Sequence, residues 1–316
     1  MEESEQYLDL KEKWFQISES FKEELDEVWG KDWGVSSEVG KLESVLLRRP
    51  GKEVDAVRDP EKWRWADTVD PEKMRNQHDR LAQCYRDHGA TVHYVEDQRE
   101  DRPNGLYMRD LVFMTPEGAI VCRPAIEARM GEQEAVARAL ADLGVPILRT
   151  IHGNGVFEGA CAMWVDEDTV MLGWGNRANE EGINQVKDTL EYLGVEDFID
   201  YHIPFGHAHI DGIINLVDRR TAVMFPWQTS HHVWEELKSR GFDLLAAPSI
   251  PEVKHNFAIN AVALEPGKVV LPSGSPEMEE MLDGKGIEVI SLQMDEIMKG
   301  RGGPHCMTVP LKRQTA

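Results

Sequence analysis

Residues 132–150, EQEAVARALADLGVPILRT, carry the pattern on which the fold of this 316-residue chain turns. Val136, Leu140 and Leu143 recur at helical spacing, Gly144 stands where a helix ends in the left-handed conformation, and VPILRT follows as an apolar strand. The same order of helix, glycine and strand returns four more times. RNQHDRLAQCYRDHG, INQVKDTLEYLG, SHHVWEELKSRG and SPEMEEMLDGKG end on Gly89, Gly194, Gly241 and Gly286, so successive glycines stand 55, 50, 47 and 45 residues apart.

Between these segments lie paired apolar runs joined by turn residues. They are LVFMT and AIVCR around Pro116-Glu117-Gly118, AMWV and VMLG around Asp166-Glu167-Asp168, IINLV and AVMF around Asp218-Arg219-Arg220, and AVAL and VVLP around Glu265-Pro266-Gly267. The fifth pair has one strand, in CMTVPLKR, while LESVLLRRP at 42–50 is a strand without a partner. Each completes the other. The expected fold is therefore α/β: a five-unit pseudo-symmetric α/β propeller, a closed ring whose termini share one unit. An open two-domain α/β protein is the alternative. The ring takes residues 37–316 as a single domain, and residues 1–36 read as a helical appendage with Trp14, Phe15, Phe21, Leu25, Val28 and Trp29 at helical spacing.

Each repeat has one position between the strand after its glycine and the next hairpin, and repetition about an axis aims all five at one place. Read in order they are Asp110, Glu158, His209 with Asp211, Asn256 and Cys306. Singly, a buried thiol, a capping carboxylate or a satisfied histidine would be ordinary. Their recurrence at equivalent positions makes them a candidate site.

The charge balance bears on what such a site would take. With 35 basic and 57 acidic residues the net charge is -22, which repels nucleic acid and anionic membranes and favours a cationic ligand. No apolar run is long enough to span a bilayer, the acidic N-terminus is unlike a signal peptide, and the expected compartment is the cytoplasm. Cys84, Cys122, Cys161 and Cys306 are widely spaced, arguing for free thiols over a disulfide framework or a zinc ribbon.

A guanidinium is a planar cation rich in donors, and it calls for carboxylates that accept paired hydrogen bonds. Asp110, Glu158 and Asp211 suit that need. Cys306 would attack the guanidinium carbon, and a bound cation would help a thiol of ordinary pKa near 8.5 to ionise. His209 would protonate the departing amine and then activate water against the covalent intermediate. The glycines before Cys306 in Gly302-Gly303-Pro304 permit close backbone approach.

These residues resemble the guanidine-modifying enzymes of the pentein fold: arginine deiminases, dimethylarginine dimethylaminohydrolases and amidinotransferases. The resemblance covers roughly residues 38 to 312 and rests on Met108-Arg109-Asp110, Phe157-Glu158-Gly159, His209-Ile210-Asp211-Gly212 and Gly302-Gly303-Pro304-His305-Cys306-Met307-Thr308, in the family's order. It implies catalysis by Cys306, His209, Glu158 and Asp110, and a substrate held by Asp110, Glu158, Asp211 and Arg177. It implies no metal and no cofactor. Glu158 is similar to the hydrolases, Asp211 to the deiminases and amidinotransferases, and Arg177 in GWGNRAN to the family's arginine for the substrate carboxylate. Where the family carries EGGD, this chain has Glu158-Gly159-Ala160-Cys161, so a polar support of Glu158 is expected to be missing.

The expected activity is hydrolysis of a carbon–nitrogen bond of arginine or a similar small cationic guanidino compound, giving a ureido product, with amidino transfer to an amine as the alternative. Two other classes compete. His207, His209 and Asp211 alternate as metal ligands on one strand would, and a ring without activity would serve to bind another macromolecule. Homo-oligomerisation is left open. Arg123 and Arg129 read equally as carboxylate binders or solvated charges, and Trp63 and Trp65 as a cover to the site or as packing on the N-terminal helices.

Overall fold

A computed structural model describes residues 19–96 and 99–315; Trp14 and Phe15 lie outside the described residues. The chain divides into two compact units, 1–31 and 32–316. In the smaller one, helix α1 (Phe21–Glu27) begins with a capping box: Ser20 Oγ accepts from Glu23 N–H, and the Glu23 carboxylate accepts from Ser20 N–H at 2.6 Å. Phe21 meets Trp29 edge to face at 5.9 Å. Residues 32–36, read from sequence as appendage, belong to the larger unit, where Gly34 N–H donates to the Leu311 carbonyl.

Among the described residues, the larger unit holds five three-stranded sheets of one plan. The second comprises β3 (Val112–Met114), β4 (Ala119–Val121) and β5 (Ile147–Thr150), the third β6 (Ala162–Asp166), β7 (Thr169–Trp174) and β8 (Asp197–His202). β9 (Ile214–Asp218), β10 (Thr221–Met224) and β11 (Asp243–Ala246) form the fourth, and β12 (Val262–Glu265), β13 (Lys268–Pro272) and β14 (Glu288–Leu292) the fifth. In each, an antiparallel hairpin is followed by a helix and a strand parallel to the hairpin's second member. The first sheet repeats this with its hairpin split between the chain ends: β15 (Val309–Arg313) runs antiparallel to β1 (Leu42–Leu47), and β2 (Thr91–Tyr94) parallel to β1.

The crossover helices, Pro71–Asp87, Gln133–Asp142, Glu180–Tyr192, His231–Ser239 and Pro276–Asp283, all precede the repeat glycines. Gly89, Gly144, Gly194, Gly241 and Gly286 have φ of 87, 74, 89, 82 and 77°, the region that L-residues with a Cβ avoid. Starts are capped as well: Asp70 accepts from Glu72 and Lys73 N–H, and Asn179 from Gly182 N–H. Hairpin strands are almost wholly buried, whereas the third strands β2, β5, β8 and β11 are half exposed, so burial deepens toward the hairpin side.

Neighbouring sheets pack in sequence: β15 on β3, β3 on the turn Gly159–Cys161, that turn on Ile210–Gly212, β9 on β12, and β12 on β1. Polar groups tie these seams. Trp164 of β6 stacks on Phe113 at 5.7 Å and donates its indole N–H to the Met114 carbonyl at 3.0 Å. Asn215 of β9 donates to the carbonyls of Ile259 and Ala261 at 2.9 and 2.7 Å, fixing the segment that enters β12. Asn215→Ala strands both buried carbonyls, and equilibrium urea unfolding is expected to register a loss of about 2–4 kcal/mol, against near-neutrality if water replaces the amide.

Candidate active site

Five short segments, each just ahead of the first strand of a sheet, deliver the polar side chains. Asp110 lies in the turn Met108–Leu111 before β3, and Glu158 immediately precedes the turn Gly159–Cys161 before β6. His209 and Asp211 flank and occupy the turn Ile210–Gly212 before β9, Asn260 stands two residues before β12, and Cys306 sits in the helical turn Pro304–Met307 before β15. Two glycines allow the close approach. A Cβ on Gly159 would lie 2.4 Å from the Arg109 carbonyl, and one on Gly302 the same distance from the Tyr107 ring.

These segments surround a cavity of about 620 Å³ lined by Asp110, Glu158, Arg177, His209, Asp211, Asn260 and Cys306 among others. His209 is held between two carboxylates: Nε2 meets Glu158 Oε2 at 2.6 Å and Nδ1 meets Asp110 Oδ1 at 3.5 Å. Glu158 Oε1 accepts from Ala125 N–H at 2.9 Å and from Arg177 at 3.2 Å, and Asp110 Oδ2 accepts from Arg129. Cys306 Sγ lies 3.2 Å from Asn260 Nδ2 and 3.5 Å from Asp211 Oδ2. The same Asp211 oxygen accepts from Asn260 at 3.0 Å and contacts His305 Nδ1 at 2.9 Å.

Electrostatics follow from this packing. Burial disfavours a charged His209 ring, but Asp110, Glu158 and Asp211 outweigh it and raise its pKa to about 9. Burial likewise opposes the Glu158 carboxylate, and His209, Arg129 and Arg177 override it, bringing Glu158 down to about 2. Burial, reinforced by Asp211 and Asp110, pushes the Cys306 thiol well above its usual value. At neutral pH the site thus holds an imidazolium, carboxylates and a neutral thiol, a set that a second cation would complete.

All five predicted carboxylate, histidine and thiol positions line this one cavity. Other sequence expectations need correction. Asn256 is not at the centre: it bonds to the Gly274 carbonyl, and Asn260 holds the fourth position because the chain turns through a left-handed Phe257 before β12. Cys306, by contrast, stands just ahead of its strand, at the expected repeat position. The support of Glu158 is present, supplied by Arg177 and Ala125 N–H, and Arg177 lines the cavity with one edge committed to that carboxylate. Arg129 is buried between Asp110 and Glu132, and Arg123 donates to the carbonyls of Gly153 and Gly155. Trp63 lines the cavity, whereas Trp65 is buried and bonds to Asn104.

The metal-like constellation is also different from the one expected. Donor atoms of Asp110, Glu158 and His209 lie within 4.8 Å of one another, but His207 packs edge-on to Phe225 and Asp211 turns to His305 and Asn260. Within the trio the imidazolium already occupies the middle, and Arg129 and Arg177 take further carboxylate oxygens. Glu38, which sequence reading passed over, and Arg109 and His305, which it quoted within motifs without giving them a role, form a second buried layer behind Asp211.

Fold and site together define a guanidine-modifying enzyme of the pentein class. A family model described as N,N dimethylarginine dimethylhydrolase, eukaryotic, matches residues 57–313, and the chain belongs to that family of guanidino-group hydrolases. An arginine deiminase of Latilactobacillus sakei is 21% identical over 401 aligned positions, covering 89% of this chain and 98% of that protein. Among solved structures, a cysteine-to-serine variant of the Pseudomonas aeruginosa dimethylarginine dimethylaminohydrolase with citrulline superposes with a TM-score of 0.71 at 21% identity, covering 85% of this chain and 99% of that one. The N-terminal domain of a cyanobacterial arginine dihydrolase superposes at 0.74, with 17% identity over 86% of this chain and 99% of that domain.

The raised His209 pKa fixes a sign. Folding favours the charged ring, so its contribution to stability is fully present below about 6.5 and is lost as pH rises through about 9. An NMR titration of the His209 ring is expected to show it doubly protonated at pH 7 with a midpoint near 9; a midpoint at or below the ordinary 6.5 contradicts this environment.

Proposed function

We propose that this protein hydrolyses the guanidinium group of arginine or an arginine-like compound through a covalent intermediate on Cys306. The observation that carries the reading is the split of charges across one cavity: His209 clamped by Asp110 and Glu158 on one side, Cys306 beside Asp211 on the other. A planar cation laid between them meets carboxylates at both ends and a sulfur facing its carbon. The packing of sheet against sheet around the cavity supports a closed five-unit propeller as the frame.

The chemistry then runs as follows. Entry of the guanidinium cation favours the thiolate, and the thiol proton leaves to solvent. Cys306 Sγ adds to the guanidinium carbon, giving a tetrahedral adduct. The His209 imidazolium gives its proton to one nitrogen, the carbon–nitrogen bond breaks, and ammonia or a substituted amine departs. Sulfur remains bonded to the amidino carbon, and His209 is now neutral. It takes a proton from water as the oxygen adds to that carbon, and collapse of the second adduct breaks the carbon–sulfur bond, the hydroxyl proton passing to the departing sulfur, so that the Cys306 thiol and a neutral ureido product are released. An acid already protonated at neutral pH suits the first half, and the base it becomes suits the second.

Substrate choice is set at the mouth. Arg64, Lys254 and Arg301 are exposed there in a protein of charge -22, and Arg177 Nε is buried without a partner among the described residues. We assign the substrate's carboxylate to Arg177 with this rim. Transfer of the amidino group to an amine differs only in the acceptor, and a requirement of ammonia release for an added amine tests it.

With arginine, methylarginines, agmatine and shorter guanidino acids as the panel, Cys306→Ala is expected to lower kcat/KM on the best substrate by about a thousandfold or more. Activity of the unchanged enzyme is expected to survive thorough chelation. Retained turnover in Cys306→Ala, or loss on chelation with recovery on metal addition, overturns the reading in favour of metal chemistry.

A further inference from the structure

A chain of buried ionic contacts runs behind Asp211, which joins it to the Cys306 sulfur. His305 Nδ1 lies 2.9 Å from Asp211 Oδ2, and its Nε2 lies 3.4 Å from Glu38 Oε2. Glu38 Oε1 accepts from Arg109 Nη2 at 2.5 Å. Glu38, Arg109, Asp211 and His305 are each at most 5% exposed. They come from four places: the segment ahead of β1, the turn that carries Asp110, the turn after His209, and the residue next to Cys306.

We propose that His305 and Glu38 are positioning residues of the reaction, an imidazole and a carboxylate that fix Asp211 beside the Cys306 sulfur in the orientation that receives the substrate's guanidinium. The inference rests on the Cys306 reading above. Its physical basis is that Asp211 has one oxygen committed to His305 and Asn260, which fixes the plane of the carboxylate. Without a cationic neighbour, that buried carboxylate would act undiminished on a sulfur 3.5 Å away.

The charged and titratable groups around His305 are Asp211, Glu38 and Arg109, with Cys306 adjacent in the chain; Arg313 of β15 acts on Glu38 from the far side. Burial disfavours the His305 cation, but hydrogen bonds to Asp211 and Glu38 outweigh it and raise its pKa. A charged ring at this place shares the charge of Asp211. That share is lost as pH climbs through the raised value.

The test uses the full-length chain and two readouts: steady-state turnover of the best guanidino substrate, and the rate at which iodoacetamide alkylates Cys306 at pH 8, followed by peptide mass spectrometry. His305→Gln keeps a donor but removes the charge. It is expected to lower kcat/KM at least tenfold and to slow alkylation of Cys306 roughly tenfold, by leaving Asp211 to act unshared on the thiol. A residue that merely packs would loosen the turn when replaced and speed alkylation. Glu38→Gln is expected to act in the same direction, with Glu38→Asp recovering most of the loss, and this pair decides the matter if His305→Gln does not fold. Unchanged or faster alkylation in His305→Gln, or equal losses in Glu38→Gln and Glu38→Asp, overturns the proposal. Failure of the nucleophile reading shows separately, as activity retained in Cys306→Ala.

Discussion

A carboxylate taken out of water costs several kcal/mol unless it finds a cation or strong donors, and this chain buries Asp110, Glu158 and Asp211 on one cavity with Glu38 behind them. Their pairing organises the rest. Arg109 answers Glu38, Arg129 answers Asp110, Arg177 answers Glu158, and the two imidazoles bridge what remains: His209 between Asp110 and Glu158, His305 between Asp211 and Glu38. Removing one partner of such a pair leaves an uncompensated buried charge, which is why the network constrains structure as well as chemistry.

The fold supplies the geometry that such pairing needs. Five sheets of one plan bring the ends of five separate hairpins to a common centre, so side chains from positions 110, 158, 209, 260 and 306 meet although each stands in its own sequence neighbourhood. Each is carried on a short segment that leads directly into the first strand of its sheet. The charge pattern then leaves one vacancy in kind: carboxylates face the cavity from two sides, the histidine is already cationic, and the thiol is neutral until a cation arrives. On the proposed mechanism, such an arrangement holds Cys306 as a neutral thiol in the absence of substrate.

How much of this was readable beforehand follows from which signals are local. The repeat glycines mark helix ends through their own backbone geometry, and the hairpins through alternating runs and turn residues, so the strand order and the meeting of Asp110, Glu158, His209, Asp211 and Cys306 could be inferred from period alone. Asn260 could not be told from Asn256 because the left-handed turn at Phe257 displaces the register by a few residues. Arg129, Arg177, His305 and Glu38 are long-range partners, chosen by which buried charge each must neutralise, and nothing in their flanking residues announces that. The support of Glu158 illustrates the point: the local motif lacks it, and an arginine nineteen positions away provides it.

The central claim is that Cys306 forms the covalent bond to the substrate's amidino carbon. Acid quenching of the enzyme during turnover, followed by peptide mass spectrometry, tests it most directly. The account predicts that the peptide containing Cys306 gains the mass of the guanidino substrate less its departing amine, and that this adduct disappears once substrate is exhausted. Product formation with Cys306 unmodified throughout, or an adduct carried on another residue, would contradict it.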